Sequence, residues 1–140
     1  MILVDTSVWI DHLHRASKDL VEVLERGEVL THPMVIGELA LGSIRDRDTV
    51  LSLLARLRST VVAGHDEVLA MVTARRLHGR GLSLVDAHLL ASAHLTPECR
   101  IWTRDKRLGV AAAAVSVAWS PRDRDDPAGR ASGSVASEGR

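Results

Sequence analysis

Four acidic residues stand where a folded α/β chain could do chemistry. Asp5 directly follows the apolar run Ile2-Leu3-Val4, and Asp105 comes soon after a second run of this kind. Short unbroken apolar runs are typical of strands in a parallel sheet, and ligands bind outside the carboxyl ends of such strands. Glu38 and Asp86 fall in predicted helices that can return to the same edge. Carboxylates gathered there are suited to a hard divalent cation, which prefers oxygen ligands.

Each of these acids also has a purely structural interpretation. Asp5 and Asp105 can each be the N-cap of the helix that follows, and Asp86 fits the third helical position of a capping box begun by Ser83. Glu38 shares a helix face with apolar residues, and it can lie at the edge of that face and reach solvent. The sequence leaves both interpretations open for all four.

Strands and helices alternate along the chain, as hydrophobic periodicity and capping signals show. Predicted strands cover residues 1–4, 28–32, 60–63, 100–103 and 115–119. Predicted helices cover 6–13, 18–26, 34–44, 46–58, 66–78 and 83–94, with a short one from 106. This order predicts an α/β fold with three layers, α/β/α, around a mostly parallel central sheet.

Length and composition set limits on the domain. A chain of 140 residues, 46% of them apolar, is long enough for one domain with a single core. We expect that domain to span residues 1–120, with 121–140 as a disordered C-terminal tail, because the tail is rich in Gly, Ser, Arg and acids and has little to bury. The core must be aliphatic, since there are three Trp and no Phe or Tyr.

Charge and targeting signals exclude several classes of protein. The formal net charge is zero, so a nucleic-acid partner would need locally focused positive charge. One cysteine excludes an internal disulfide framework. No apolar run reaches about 18 residues and no basic segment precedes the first strand, so we expect neither a membrane span nor a signal peptide, and a cytoplasmic location.

Together the motifs resemble a known family. Val4-Asp5-Thr6-Ser7, Gly81-Leu82-Ser83-Leu84-Val85-Asp86-Ala87 and Ile101-Trp102-Thr103-Arg104-Asp105, with Glu38 between the first two, look like the ordered motifs of PIN-domain ribonucleases. Within that superfamily the sequence is most similar to VapC-type toxins of prokaryotic toxin–antitoxin pairs. The resemblance covers residues 1–119. The first motif alone is a weak signal, but the four acids in order make a strong one.

The resemblance implies a site, a reaction and partners. It implies that a Mg²⁺ ion, or Mn²⁺, is held by Asp5, Glu38, Asp86 and Asp105. It gives Ser7 and Thr103 the family's hydroxyl positions, which hydrogen-bond acids, water or phosphate. The implied function is a toxin endoribonuclease that hydrolyses RNA phosphodiester bonds by metal-activated water. The implied partners are an RNA substrate, a VapB-like antitoxin and a second copy of the chain.

Other classes of protein fit less well. A haloacid-dehalogenase-like phosphatase needs a second Asp two residues after the first, where this chain has Ser7, and a receiver domain needs an acid after a later strand, where residues 61–64 have none. The seven histidines lack the spacing of a zinc site. A catalytically silent PIN-like binding module and a metal-dependent phosphatase remain as alternatives.

Two further groups of residues have a possible role in binding. Arg104, Lys106 and Arg107 bracket Asp105 and can contact phosphate, although such residues are also common on a solvated face. A second basic group, with the same alternative, is Arg75, Arg76 and Arg80. Apolar residues of the first two helices can form either core or an antitoxin-binding surface. They are Trp9, Ile10, Leu13, Leu20, Val21 and Leu24.

The domain boundary leads to a first prediction. Truncation after Ser120 should change the melting temperature little, because the removed residues have few apolar side chains to bury. Thermal melts of the full and truncated chains measure this. A loss of several degrees would show that the segment packs on the domain.

Overall fold

In the computed structural model, which describes residues 1–124, a parallel sheet is built around one fully buried strand. That strand is β1, Ile2–Val4, and it pairs in parallel with β2, Val29–Leu30, on one side and with β3, Arg100–Trp102, on the other. Strands buried on both faces are expected to be continuously apolar, as β1 is. The predicted α/β/α fold with a parallel sheet is confirmed.

Eight helices surround this sheet within residues 1–124. They are α1 Thr6–His14, α2 Lys18–Glu25, α3 Pro33–Leu41, α4 Arg47–Arg56, α5 His65–Ala74, α6 Leu84–Leu95, α7 Lys106–Ala114 and α8 Pro121–Arg124. None of these helices is long and apolar enough to cross a membrane.

The core is aliphatic, as the composition predicts, with three indoles added to it. Leu, Val, Ile and Ala from the sheet and from α1, α2, α6 and α7 make up most of the buried hydrophobic residues. Trp102 and Trp119 meet edge to face, with ring centroids 5.1 Å apart. All three Trp side chains, including Trp9, are buried.

The prediction of a strand at Thr60–Ala63 was wrong. Only Ser59 forms a bridge there, to Thr31 beside β2. The backbone N–H groups of Val61 and Ala63 donate instead to side-chain hydroxyls on and just after α6, those of Thr96 and Ser92. Thr60 still donates its N–H to the carbonyl of Thr31. From Val61 onward the segment packs on α6, and the N–H groups of Val61 and Ala63 are satisfied without a strand partner.

The predicted last strand, Val115–Trp119, is also reduced to a single bridge. Val115 is the C-cap of α7, and Ser116 takes a left-handed conformation with φ of 63°. Only the residues after this turn can pair with β3, where Ala118 bridges Ile101. Extended segments around Ser59 and Ala118 thus continue the parallel sheet beyond β2 and β3, but each is held by a single bridge.

Helix boundaries agree with the capping signals in most places. Ser17 caps α2 by accepting from the N–H of Leu20, and Gly27 follows the helix with φ of 67°. The helix predicted at 34–44 is shorter and begins one residue earlier. The helix predicted at 66–78 begins one residue earlier and is shorter: Gly64 is its N-cap, and the N–H of Gly64 donates to the side chain of Glu67.

The predicted tail begins with structure. Pro121–Arg124 forms α8, and the N–H of Ser120 donates to Asp123 Oδ2 at 2.8 Å. Residues 125–140 lie outside the described part of the chain, so the domain boundary stays a prediction.

A buried histidine that the sequence did not single out joins β2, α3 and α6. His32 Nδ1 accepts the N–H of Met34 and so caps α3, which leaves Nε2 to carry the hydrogen and donate to Ser92 Oγ at 2.9 Å. Ser92 Oγ also accepts the N–H of Ala63. Burial, and secondarily the charge of nearby His88, lower the pKa of His32 to about 4. The imidazole is therefore neutral in the folded protein.

This histidine should make stability depend on pH. An unfolded chain protonates His32 near pH 6.5, whereas the fold resists protonation until about pH 4, so the free energy of unfolding should fall as pH drops through that window. The variant His32→Asn keeps a capping acceptor and removes the titration. Urea denaturation of both proteins at several pH values should show a smaller drop in the variant. Equal drops would assign the acid sensitivity to other groups.

Candidate active site

The carboxyl ends of β1 and β3 lie side by side at the point where the strand order of the sheet reverses. The chain passes from β1 to β2 on one side and later returns to β3 on the other, and ligands bind at such a switch point. The N–H of Asp5 continues the pairing past β1 by donating to the carbonyl of Trp102. Asp5 and Thr103 are therefore neighbours at the end of adjacent strands.

Asp5 is buried, with 5% of its surface exposed, and two hydroxyls fix its carboxylate. Ser7 Oγ and Thr103 Oγ1 each donate to Asp5 Oδ2 at 2.7 Å. The same two hydroxyl oxygens accept backbone N–H groups, from Arg104 and Asp105 respectively. We call Asp5, Ser7 and Thr103 the Asp5 hub. Each hydroxyl has a single hydrogen and donates it to Asp5. The 3.3 Å contact between Ser7 Oγ and Thr103 Oγ1 is therefore a close approach without a hydrogen bond of its own.

The capping interpretation fails for Asp5 and holds for two other acids. Asp5 is the N-cap residue of α1, but its side chain makes no cap hydrogen bond. Asp105 Oδ1 accepts the N–H of Leu108 and caps α7, and Asp86 Oδ2 accepts the N–H of Ser83 in a complete capping box. Capping fixes these two carboxylates at helix N-termini, where the helix dipole favours negative charge.

Glu38 reaches the site through a residue that sequence reasoning missed. Its Oε1 accepts from Thr6 Oγ1 at 2.7 Å, and Thr6 lies directly between Asp5 and Ser7. Glu38 is exposed, in agreement with the alternative in which its side chain reaches solvent. It is nevertheless hydrogen-bonded to the first turn of α1. The signal for Thr6 was its place inside the Asp-Thr-Ser motif, where only the two flanking residues were given roles.

Electrostatic repulsion links Asp86 to the other acids. Burial is the main cause that raises the pKa of Asp86, and the negative charges of Asp5 and Asp105 raise it further, while hydrogen bonds from Ser83 oppose the rise. An acid whose pKa is raised in the fold costs stability once it ionises, so the metal-free fold loses stability as pH rises through the titration of Asp86. A nearby cation would remove that cost.

The donor set fits a hydrated divalent ion. Asp5 Oδ1, Glu38 Oε2 and Asp105 Oδ2 accept no hydrogen bond from residues 1–124. In that part of the chain, no three His, Cys, Asp or Glu side chains are close enough to enclose a metal between them. Mg²⁺ commonly keeps several waters and takes only one or two carboxylates, so the arrangement suits it better than a metal that needs a closed protein cage.

Two arginines flank the acids by different contacts. Arg104, beside the hub, forms an ion pair from Nε to Asp11 Oδ2 at 3.3 Å. Arg107 lies against Gly81, where a Cβ would be 2.7 Å from its guanidinium. Because Gly81 also has φ of +77°, a side chain there would be strained as well as obstructed. These contacts hold both cations close to the segments that carry Asp86 and Asp105.

The structure gathers most of the predicted site residues at one edge. Hydrogen bonds join Asp5, Ser7 and Thr103 directly and reach Asp105 through its backbone, and charge interactions connect Asp86. Glu38 is attached through Thr6 and is not otherwise in contact with the hub.

Comparison with known proteins gives the family. The PIN domain matches residues 2–114, which is most of the chain, so the protein belongs to the PIN-domain family. Two relatives, both called Ribonuclease VapC32, come from Mycobacterium tuberculosis strains CDC 1551 / Oshkosh and ATCC 25618 / H37Rv. Each is 59% identical to this chain over 118 residues, which are 84% of this chain and 95% of the relative. The protein is thus a VapC homologue.

Proposed function

We propose that this protein is a magnesium-dependent endoribonuclease that acts in the cytoplasm as the toxin of a toxin–antitoxin pair. The observation that carries the proposal is the buried Asp5 carboxylate, which has only neutral hydroxyl partners while the charges of Asp86 and Asp105 act on the same space. A buried charge without a cation is costly, and a divalent ion would remove the cost. The names of the VapC32 relatives supply the reaction class, RNA cleavage.

In this proposal Asp5, Glu38, Asp86 and Asp105 together hold Mg²⁺, with Mn²⁺ as a substitute, and they bind it partly through the waters that the ion keeps. When bound, such an ion supplies activation of water and neutralisation of charge on the phosphoryl oxygens. Ser7 and Thr103 hold Asp5 in one orientation, because both donate to Oδ2 and leave Oδ1 free. Capping hydrogen bonds orient the carboxylates of Asp86 and Asp105, and the hydrogen bond from Thr6 orients that of Glu38. The acids are thus oriented before a ligand arrives.

Neutralising one acid should separate function from folding. Asp5→Asn and Asp86→Asn should each lower cleavage of a single-stranded RNA by about a hundredfold or more, and together by less than the product of the two. Asp86→Asn also removes a repelled charge, so its metal-free melting temperature should equal or exceed that of the wild type.

Metal binding gives a second measurement on the same proteins. Millimolar Mg²⁺ should raise the melting temperature of the wild type and not that of Asp5→Asn, because a ligand that binds only the folded state stabilises it. Asp66→Asn, at an exposed position on α5, is the matched control and should behave as wild type. Full magnesium-dependent cleavage by a folded Asp5→Asn protein would refute the site. No cleavage by the wild type with Mg²⁺ would favour the silent binding module.

The proposal includes a VapB-like antitoxin, and an apolar groove supports it. The groove has a volume of about 390 Å³ and lies between α1, α2 and α4. Its lining includes Trp9, Leu13, Leu24, Leu53, Leu54 and Leu57. The Trp9 indole N–H at the base of the groove is buried and has no acceptor within residues 1–124.

The sequence left open whether the apolar residues of α1 and α2 belong to the core or to an antitoxin-binding surface, and the structure contains examples of both. Trp9 and Leu20 are core residues, with 6% and 0% exposed. Ile10 and Val21 are exposed. Leu13 and Leu24 are half-buried and line the groove. Further exposed aliphatic residues on α3 and α5, Leu41 and Leu69, provide apolar surface for the homodimer that the proposal also includes.

The groove is best tested with Leu53, which is 56% exposed and so contributes little to the core. Leu53→Ser should weaken antitoxin binding about tenfold in calorimetry and leave RNA cleavage and the melting temperature unchanged. Leu95→Ser, which is 41% exposed at the end of α6 and lies outside the groove, is the control. Trp9→Ala should weaken binding too, but it removes a buried indole and will also lower stability. Unchanged affinity of Leu53→Ser would exclude this face.

A further inference from the structure

Arg104 is joined to the Asp5 hub by its backbone and not by its side chain. Its N–H donates to Ser7 Oγ at 3.0 Å, and that oxygen donates to Asp5 Oδ2. Its neighbours in sequence, Thr103 and Asp105, both belong to the site. The backbone position of Arg104 is therefore fixed two hydrogen bonds away from the buried carboxylate.

The side chain of Arg104 is held beside the site by a weak partner. Arg104 Nε pairs with Asp11 Oδ2 at 3.3 Å, with 47% of the Arg side chain and 54% of the Asp side chain exposed. Asp11 stands one helical turn after Ser7 on α1. Ion pairs with this exposure add little stability, because water screens them and both side chains lose freedom. Phosphate oxygens can pair with a guanidinium through two parallel hydrogen bonds, which is a stronger interaction.

We propose that Arg104 binds a backbone phosphate of the RNA and that it leaves Asp11 to do so. This rests on the proposed function, since it assumes that RNA enters at the Asp5 hub. Asp11 is a positioning residue: in the free protein it holds the guanidinium at the edge of the site and keeps it from pairing with Asp105 or other acids of the cluster. In this exchange the Arg104 guanidinium gives up its ion pair with Asp11 and forms one with the phosphate. The new ion pair offsets part of the repulsion between the RNA and the four carboxylates.

The exchange predicts effects of opposite sign for its two partners. Arg104→Ala should weaken binding of a labelled single-stranded RNA about tenfold and reduce the slope of log affinity against log salt by about 1. Asp11→Asn frees the arginine and should tighten binding about two- to fivefold. In the Arg104→Ala background, Asp11→Asn should have no such effect, because its action passes through Arg104.

Another ion pair in the described part of the chain provides a matched control. Arg47 NH1 lies 3.5 Å from Asp48 Oδ1 at the start of α4, and Asp48 is fully exposed. Asp48→Asn makes the same change in net charge, but the Arg47 side chain stays attached through the hydrogen bond from Nε to the carbonyl of Ala40. It should change RNA affinity by less than Asp11→Asn, and Arg47→Ala should leave the salt slope unchanged. Equal effects of the two Asp→Asn variants would reduce the result to net charge and overturn the exchange.

RNA binding should be measured by fluorescence anisotropy in the Asp5→Asn background, in which the RNA is not cleaved. KM and kcat should be measured in proteins that keep Asp5. Arg104→Ala should raise KM and leave kcat nearly unchanged, since its contact is the same before and during reaction. If the wild type cleaves RNA while Arg104→Ala keeps the same KM, affinity and salt slope, the exchange is refuted and the proposed function stands. If the wild type neither binds nor cleaves RNA, the proposed function fails first. Lower melting temperatures with unchanged RNA affinity would make the ion pair purely structural.

Discussion

A carboxylate buried at the end of the central strand is the constraint that the surrounding structure serves. Asp5 is removed from water almost completely, and a buried charge is tolerated only if donors or a cation meet it. The donors are hydroxyls from the start of α1 and the end of β3, and their own oxygens are satisfied by the backbone of the β3–α7 loop. Beyond the last residues of β1 and β3, a side-chain network thus continues the connection between these strands and fixes the β3–α7 loop.

The sequence predicted the interior of the fold better than its margins. The run before Asp5 was unambiguous because a strand buried on both faces must be apolar throughout. At the sheet edges the same kind of apolar segment had another use: Val61 and Ala63 direct their N–H groups to hydroxyls of Thr96 and Ser92, which lie about thirty residues later in the chain. Local pattern contains no information about such distant acceptors, and so the two outer segments could not be distinguished from full strands.

The candidate site shows a similar division. Asp5, Ser7, Thr103 and Asp105 follow strand ends, and the rule for parallel sheets was enough to place them together. The partners that orient or surround them were not accessible in this way. Thr6 meets Glu38 across 32 positions and Asp11 meets Arg104 across 93, and both contacts depend on the angle at which α1 leaves the sheet. The same helix carries Ser7 of the hub in its first turn and groove residues farther along, so one rigid element connects the two surfaces.

The placement of the three indoles makes the protein its own optical probe. The chain has no Tyr and no Phe, so its near-ultraviolet absorption and emission come almost wholly from Trp9, Trp102 and Trp119, all buried. Two of them form an edge-to-face pair whose first member immediately precedes Thr103 of the hub, while the third lines the groove on α1. Total emission therefore includes Trp9 at the groove, whereas the exciton dichroism arises from the coupled pair at the end of β3. Comparing the two signals reports on the two regions of one molecule without any attached dye.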